Sequence, residues 1–234
     1  MQISPLQINY QNTPIKQAYT RQVKTTIDSS SKKDFNTCDL NFCANYLYDV
    51  NLRRRTTKRP IGAKVVELDF SDKDDLLMLN LASFWRTTSY FSPISSDYCK
   101  NSNKFKFFAI VDGNNSEPNA KDVKSLVQFR VCEDKKEGKT CDIIYLQCAP
   151  DIADNEKSSI RGAGELAVYS VVNYAKKCGC EKVTLRSTNN GFYENIGFEM
   201  GAGYSPISGY CPFYLDKKDY DWFLKRVEEK YKFN

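Results

Sequence analysis

The run Ile160-Arg161-Gly162-Ala163-Gly164-Glu165 is where this sequence could do chemistry on a phosphate. Two glycines, two residues apart, stand between an extended apolar stretch and a segment with helical periodicity. Glycine tolerates positive φ and lets a backbone come close to an anion. The first turn of a helix presents unpaired N–H groups at the positive end of its dipole. With Arg161 as an added charge, these features make a cradle for a pyrophosphate. The same spacing also serves close strand–helix packing, so the glycines alone leave both readings open.

The residues that are missing narrow the chemistry further. The 234-residue chain has no histidine. Ser-His-Asp hydrolysis, Cys-His proteolysis and His-bound zinc hydrolysis are thereby excluded. Proton transfer must fall to a carboxylate, tyrosine, lysine, cysteine or water. Nine cysteines, an odd number at irregular spacing and without a Cys-x-x-Cys pair, fit neither a disulfide framework nor a structural zinc site. They read as small buried hydrophobes.

Composition sets the setting. Hydrophobic residues make up 41 % and aromatics 13 % of the chain, enough for one sizeable domain. No apolar run approaches the ~18–20 residues that span a bilayer, and the start of the sequence carries no basic-then-apolar leader pattern. A cytoplasmic protein with no membrane partner is expected. The net charge of +5 is uneven. Residues 1–60 hold 10 Lys/Arg against 4 Asp, whereas the remainder holds 24 against 25 acidic residues. A basic domain face built for nucleic acid is therefore not expected. Residues 1–60 read as a basic, polar segment, partly disordered or docked, with Arg53-Arg54-Arg55 and Lys58-Arg59 either in a solvated linker or as a contact for an acidic partner, nucleic acid or membrane surface. Residues 61–234 read as the folded domain.

Within that domain the pattern predicts the elements that must position the glycines. Val65–Phe70 is a strand, and a helix starts at Ser71 with Leu77, Leu81 and Phe84 or Trp85 on one face. Pro93 and Ser95-Ser96-Asp97 punctuate the chain after it. Phe105–Val111, Ser125–Val131 and Asp142–Ala149 are three strands in succession, hence an antiparallel meander. Glu165–Cys178 is a helix closed by Gly179, and Lys182–Arg186 a strand reached by a parallel crossover. A short helix at Phe192–Ile196, a strand at Tyr210–Leu215 and an amphipathic helix at Lys217–Tyr231 complete the chain. The fold class is α/β: a mixed, mostly antiparallel sheet with helices on both faces.

From Gly164 the sequence continues GELAVYSVVNYAKKCGCEKVTLRSTNNGFYENIGF. This resembles the GNAT superfamily of N-acetyltransferases. Gly162 and Gly164 match the small positions of its Gln/Arg-x-x-Gly-x-Gly/Ala motif. Tyr174-Ala175 and Gly179 fall in place without a gap, and Lys182-Val183-Thr184-Leu185 matches the next strand. Phe192-Tyr193-Glu194-Asn195-Ile196-Gly197-Phe198 matches the Phe-Tyr-x-x-x-Gly-Phe hallmark, and Leu146-Gln147-Cys148-Ala149-Pro150 a strand end upstream. The resemblance covers residues 142–198 and implies a GNAT-like acyl-CoA N-acyltransferase fold with acetyl-CoA as co-substrate. It implies that pantetheine pairs with the backbone near Leu146 and Cys148. The phosphates would lie on Ser159, Ile160, Arg161, Gly162, Ala163 and Gly164, with Asn190 nearby. Tyr193 would protonate the departing thiolate after direct attack by a primary amine.

The sequence departs from the family at specific places. Ser159 stands at the motif's first position, with Arg161 as the compensating charge. Gln147 stands where some relatives carry an acidic residue, so no general base is named. The loop from Pro150 to Gly162 is long. Glu165 is expected to face solvent, because it would repel pyrophosphate otherwise. The implied acceptor is an amine on a small molecule, peptide or protein; oligomeric state stays open. The alternative is a non-catalytic domain of the same fold that binds acyl-CoA or a partner.

Overall fold

The computed structural model describes residues 44–68, 81, 85, 91–101, 104–113, 120–134, 138–153, 158–203 and 209–233. The chain divides into two units, Met1–Asp39 and Leu40–Asn234, and every described residue belongs to the second.

Nine strands form one sheet in the order β6-β1-β2-β3-β4-β5-β7-β9-β8. They are β1 (Ala44–Arg54), β2 (Pro60–Leu68), β3 (Lys106–Asp112), β4 (Val123–Asp134), β5 (Gly138–Cys148), β6 (Ile160–Arg161), β7 (Lys182–Ser187), β8 (Glu199–Met200) and β9 (Cys211–Asp216). Only β5 and β7 pair in parallel; β1 through β5 form an antiparallel succession. The expected meander is present, and its strands run near the expected bounds. The sheet also begins upstream of the expected start near Ala63, with a hairpin drawn from the basic segment. Val50 and Leu52 of β1 are buried. Arg53 pairs with Pro60 in β2 and with Arg161 in β6. The cluster expected to be a linker is therefore a strand end and its turn.

Helices cover both faces, as expected. Among the described helical segments, α1 (Phe91–Asn101), α2 (Ala163–Lys177), α3 (Asn190–Asn195) and α4 (Tyr220–Tyr231) carry the argument. Phe108 of β3 and Phe129 of β4 meet the Tyr174 ring of α2 edge-on at 5.7 and 5.3 Å, so α2 lies on their face. Gln128, one residue from Phe129 and pointing the other way, donates to Asp97 of α1 at 3.1 Å. β3, covered on both sides, is buried at five successive residues. Pro93, expected to punctuate, sits in the first turn of α1, where a proline removes no intrahelical bond. The helix expected from Ser71 lies outside the described residues except Leu81 and Trp85, both helical and fully buried.

α2 starts and stops where its sequence says it should. Its last turn is a Schellman motif: Gly179 N–H bonds the Lys176 carbonyl and Cys180 N–H the Ala175 carbonyl, with Gly179 at φ 69°. This fixes the crossover into β7. Among the described residues no helix is long and apolar enough to cross a membrane.

Candidate functional site

The parallel pairing of β5 and β7 ends early. It runs from Thr140/Lys182 to Ile143/Leu185, yet β5 continues to Cys148 and β7 to Ser187. The two strand ends therefore part, and their backbone groups there are not paired with each other. The amino end of α2 closes on this opening. Gly164 packs so tightly that a Cβ would stand 3.3 Å from Cys148 Sγ and 3.7 Å from Leu146 Cδ2.

Gly162 is required twice over. It adopts φ 104°, a left-handed conformation open to glycine, and a Cβ would lie 2.3 Å from the Tyr231 ring. Its carbonyl accepts the first helical bond, from Leu166 N–H at 2.9 Å. No side chain caps the helix. Gly162 has no side chain to offer the first-turn amides, and the Gly164 amide meets the Cys148 sulfur beside the opening.

Glu165 does not face solvent. It is only 4 % exposed and turns toward α4. There it accepts from Tyr231 Oη at 2.7 Å and pairs with Arg226 Nη2 at 3.2 Å and Lys230 Nζ at 2.5 Å. The expectation failed because it weighed Glu165 against a bound anion alone. Two cations from α4 neutralise the carboxylate, and the helix dipole favours it at this position. Arg226 also donates to the carbonyls of Asn195 and Ile196 at 3.2 and 2.8 Å. One guanidinium thereby ties the glycine turn to the Phe192–Phe198 motif.

A cavity of about 740 Å³ occupies the opening. It collects Leu146, Cys148, Arg161, Gly162, Ala163, Gly164 and Tyr193, seven of the residues singled out from sequence. Three others lie off its wall. Ile160 pairs with Arg54 as the two-residue strand β6. The carbonyl of Ser159, which is itself exposed, accepts from Arg55 N–H at 2.8 Å. Asn190 turns its amide to Cys211 Sγ at 3.2 Å; Ser187, Thr188 and Asn189 line the wall in its place. Asn189 caps α3 through a bond from Phe192 N–H at 3.3 Å. The wall residues that sequence reasoning missed are Arg53, Arg54, Arg55, Lys58, Lys230 and Tyr231. Basic character marked the first four, but nothing local said they would meet the glycines.

A second cavity, about 290 Å³, lies on the other side of the opening. Ile143, Tyr145, Leu185, Arg186 and Tyr210 are among its lining residues. The two cavities share Leu146, Ser187 and Tyr193. Tyr193 is buried against Phe192, Phe198 and Phe213, at ring distances of 4.9, 5.9 and 5.6 Å. Packing on three sides fixes its ring where the cavities meet.

Carboxylates are scarce here. Among the described residues Glu165 is the one that lines either cavity, and it is fully engaged. Asp142 accepts from Thr184 Oγ1 at 2.5 Å and faces Arg130 at 3.4 Å. Glu67 pairs with Lys106. Cys148 opens partly to the cavity, yet burial of its sulfur pushes the thiol up to about 12, with Asp151 adding in the same direction. The shift favours the protonated thiol over the nucleophilic thiolate.

No family model and no curated protein matches the chain. Among solved structures it is similar to Arabidopsis thaliana NAA60 in complex with a bisubstrate analogue. The identity is 17 %, 65 % of this chain and 97 % of that one are covered, and the TM-score is 0.45. It is also similar to a chain of the NatC complex bound to Gag peptide and CoA, at 12 % identity, 65 % and 98 % coverage and a TM-score of 0.45. A Bacillus subtilis acetyltransferase in complex with CoA gives 13 %, 70 % and 98 %, and 0.41.

Proposed function

We propose that this protein is an acetyl-CoA-dependent N-acetyltransferase of the GNAT type that moves an acetyl group to a primary amine. The observation that carries the reading is the parting of β5 from β7 beside an uncapped glycine turn, with one buried tyrosine shared by the cavities on either side. The motif residues from Leu146 to Phe198 support it, because those that line the opening are drawn from three separate stretches of chain.

The residues fit acetyl-CoA. The amides of Ala163 and Gly164 and the Arg161 guanidinium suit a pyrophosphate. The unpaired backbone of β5 near Leu146 and Cys148 suits the amides of a pantetheine arm. Acetyl-CoA supplies a thioester that an amine attacks directly, so no covalent enzyme nucleophile is needed. Tyr193 gives its phenolic proton to the departing thiolate. The smaller cavity has no carboxylate among its lining residues and has Arg186 on its wall. Such surroundings disfavour an ammonium ion and so favour the neutral amine that must attack. Water removes the amine's proton afterwards.

The test is thiol release from acetyl-CoA across a panel of peptide N-termini, lysine peptides and small amines. Release that depends on the amine and on Tyr193 supports the reading. One observation favours a second reading, a non-catalytic domain of the same fold: among the described residues no disengaged carboxylate lines the cavities. Binding of acetyl-CoA without thiol release across the whole panel would select it.

A further inference from the structure

The larger cavity holds more positive charge than a pyrophosphate on the glycine turn requires. Arg53, Arg54, Arg55, Lys58 and Arg161 all line it. None of the five has an ion pair among the described residues. Five cations gathered on one wall, none paired with a carboxylate among the described residues, repel one another, and a polyanion relieves that cost.

Backbone bonds hold four of them in place. Arg54 N–H bonds the Arg59 carbonyl and Lys58 N–H the Arg54 carbonyl, each at 2.9 Å, making a tight turn with Lys58 at φ 55°. Arg55 N–H bonds the Ser159 carbonyl at 2.8 Å, and Arg53 lies opposite Arg161 in the sheet. The hairpin is thus stitched to the start of the glycine loop. The loop's residues order the cavity. Arg161 lies at the hairpin, Gly162 and Ala163 follow, and Gly164 rests on Cys148 at the strand opening. The thioester belongs at the opening and the pyrophosphate at the glycines, so the hairpin faces whatever lies beyond the pyrophosphate.

Resting on the cofactor reading above, we infer that the β1–β2 hairpin is a second phosphate site. It grips the 3′-phosphate of the coenzyme's adenosine through Arg54, Arg55 and Lys58, with Arg53 and Arg161 shared with the pyrophosphate. The hairpin therefore selects a nucleotide with a 3′-phosphate beside its 5′-diphosphate over a plain 5′-diphosphate. Guanidinium–phosphate hydrogen bonds are among the stronger contacts available to a protein surface.

The test is calorimetric titration of the full chain with coenzyme A and with 3′-dephospho-coenzyme A. Wild type is expected to bind coenzyme A about tenfold or more tightly than the dephospho form. The double variant Arg54→Ala/Arg55→Ala should lose that preference while binding the dephospho form within about twofold of wild type. Should that variant fold poorly, competition of adenosine 3′-phosphate 5′-diphosphate against ADP on wild type reads the same preference. Equal affinity of wild type for both coenzymes, or equal weakening of both in the variant, overturns the inference and leaves the cofactor reading standing. Binding of neither coenzyme overturns both. A short DNA duplex bound more tightly than coenzyme A, and lost on the same substitutions, overturns it in favour of a nucleic-acid contact.

Discussion

The two cavities that meet at Tyr193 are built from opposite materials. The larger draws cations from the hairpin, the glycine loop and α4, and its one carboxylate is neutralised by Arg226 and Lys230. The smaller is lined by aliphatic residues and tyrosines, with Arg186 as its charged side chain. A polyanion has a place in the first and none in the second. A neutral amine suits the second, where nothing stabilises its protonated form. A cation-rich cavity and an aliphatic one thus meet at three shared residues, Leu146, Ser187 and the packed Tyr193.

Changes to the glycine turn should break that contrast most severely. Gly162→Val forces a β-branched residue to positive φ, at about 1–3 kcal/mol, and drives its side chain into the Tyr231 ring. Acetyl-CoA affinity measured by calorimetry should fall about a hundredfold or more, the loss expected when the phosphate-binding backbone shifts. Gly164→Val should be milder, since its helical backbone is relaxed and the Cβ meets Cys148 Sγ at 3.3 Å. Equal losses at the two positions would mean that the positive φ at Gly162 carries no weight.

The shared residue comes next. Tyr193→Phe keeps the ring packing and removes only the hydroxyl. Turnover should drop about a hundredfold, within the usual range for general acid catalysis, while KM for acetyl-CoA stays near its wild-type value. A matched rise in KM with unchanged turnover would move Tyr193 from chemistry to binding.

Glu165→Gln tests the larger cavity's neutralised carboxylate. It leaves Arg226 and Lys230 without a counter-charge, but both are partly exposed and can rehydrate. Urea unfolding should show a loss of about 1–3 kcal/mol. A stabilised variant would show that the buried cluster is a net cost.

The smallest effect is alkaline. Burial raises the phenols of Tyr220 and Tyr231, Glu165 adds to the rise at Tyr231, and Tyr48 is pushed up to about 12. Folding therefore favours the neutral phenol. That stability is intact below the unfolded value of about 10 and is lost as pH rises from there through the folded values. Unfolding free energy should begin to fall above about pH 8, where the unfolded counterparts of the buried Cys141 and Cys148 ionise, and more steeply above about 10, by less than about 1.4 kcal/mol per pH unit for each such group. Glu165→Gln should soften the fall, because it removes the charge that burdens Tyr231.

Where the signal was local, the sequence was readable. The spacing from Gly162 through Gly179 to Phe198 lies on one short stretch of chain, and the helix, its Schellman stop and the next strand formed as that spacing implied. β1 was hidden because its polar residues and the two arginines at its end read as linker, and its value comes from pairing with β6 far along the chain. Glu165 was misdirected for a related reason. Its partners sit on the last helix, and no local pattern reports that α4 lies against the start of α2. Asn190 was replaced at the wall by Asn189 because α3 starts earlier than the apolar pattern suggested.

The account's central claim is that the opening between β5 and β7 takes an acyl-CoA. Calorimetric titration of acetyl-CoA into the full chain measures it directly, with Gly162→Val as the paired control. The prediction is saturable binding at one site per chain in wild type, abolished by the substitution in a protein that keeps its circular dichroism spectrum. No heat at millimolar acetyl-CoA in the folded wild type, or binding that the substitution leaves unchanged, would contradict it.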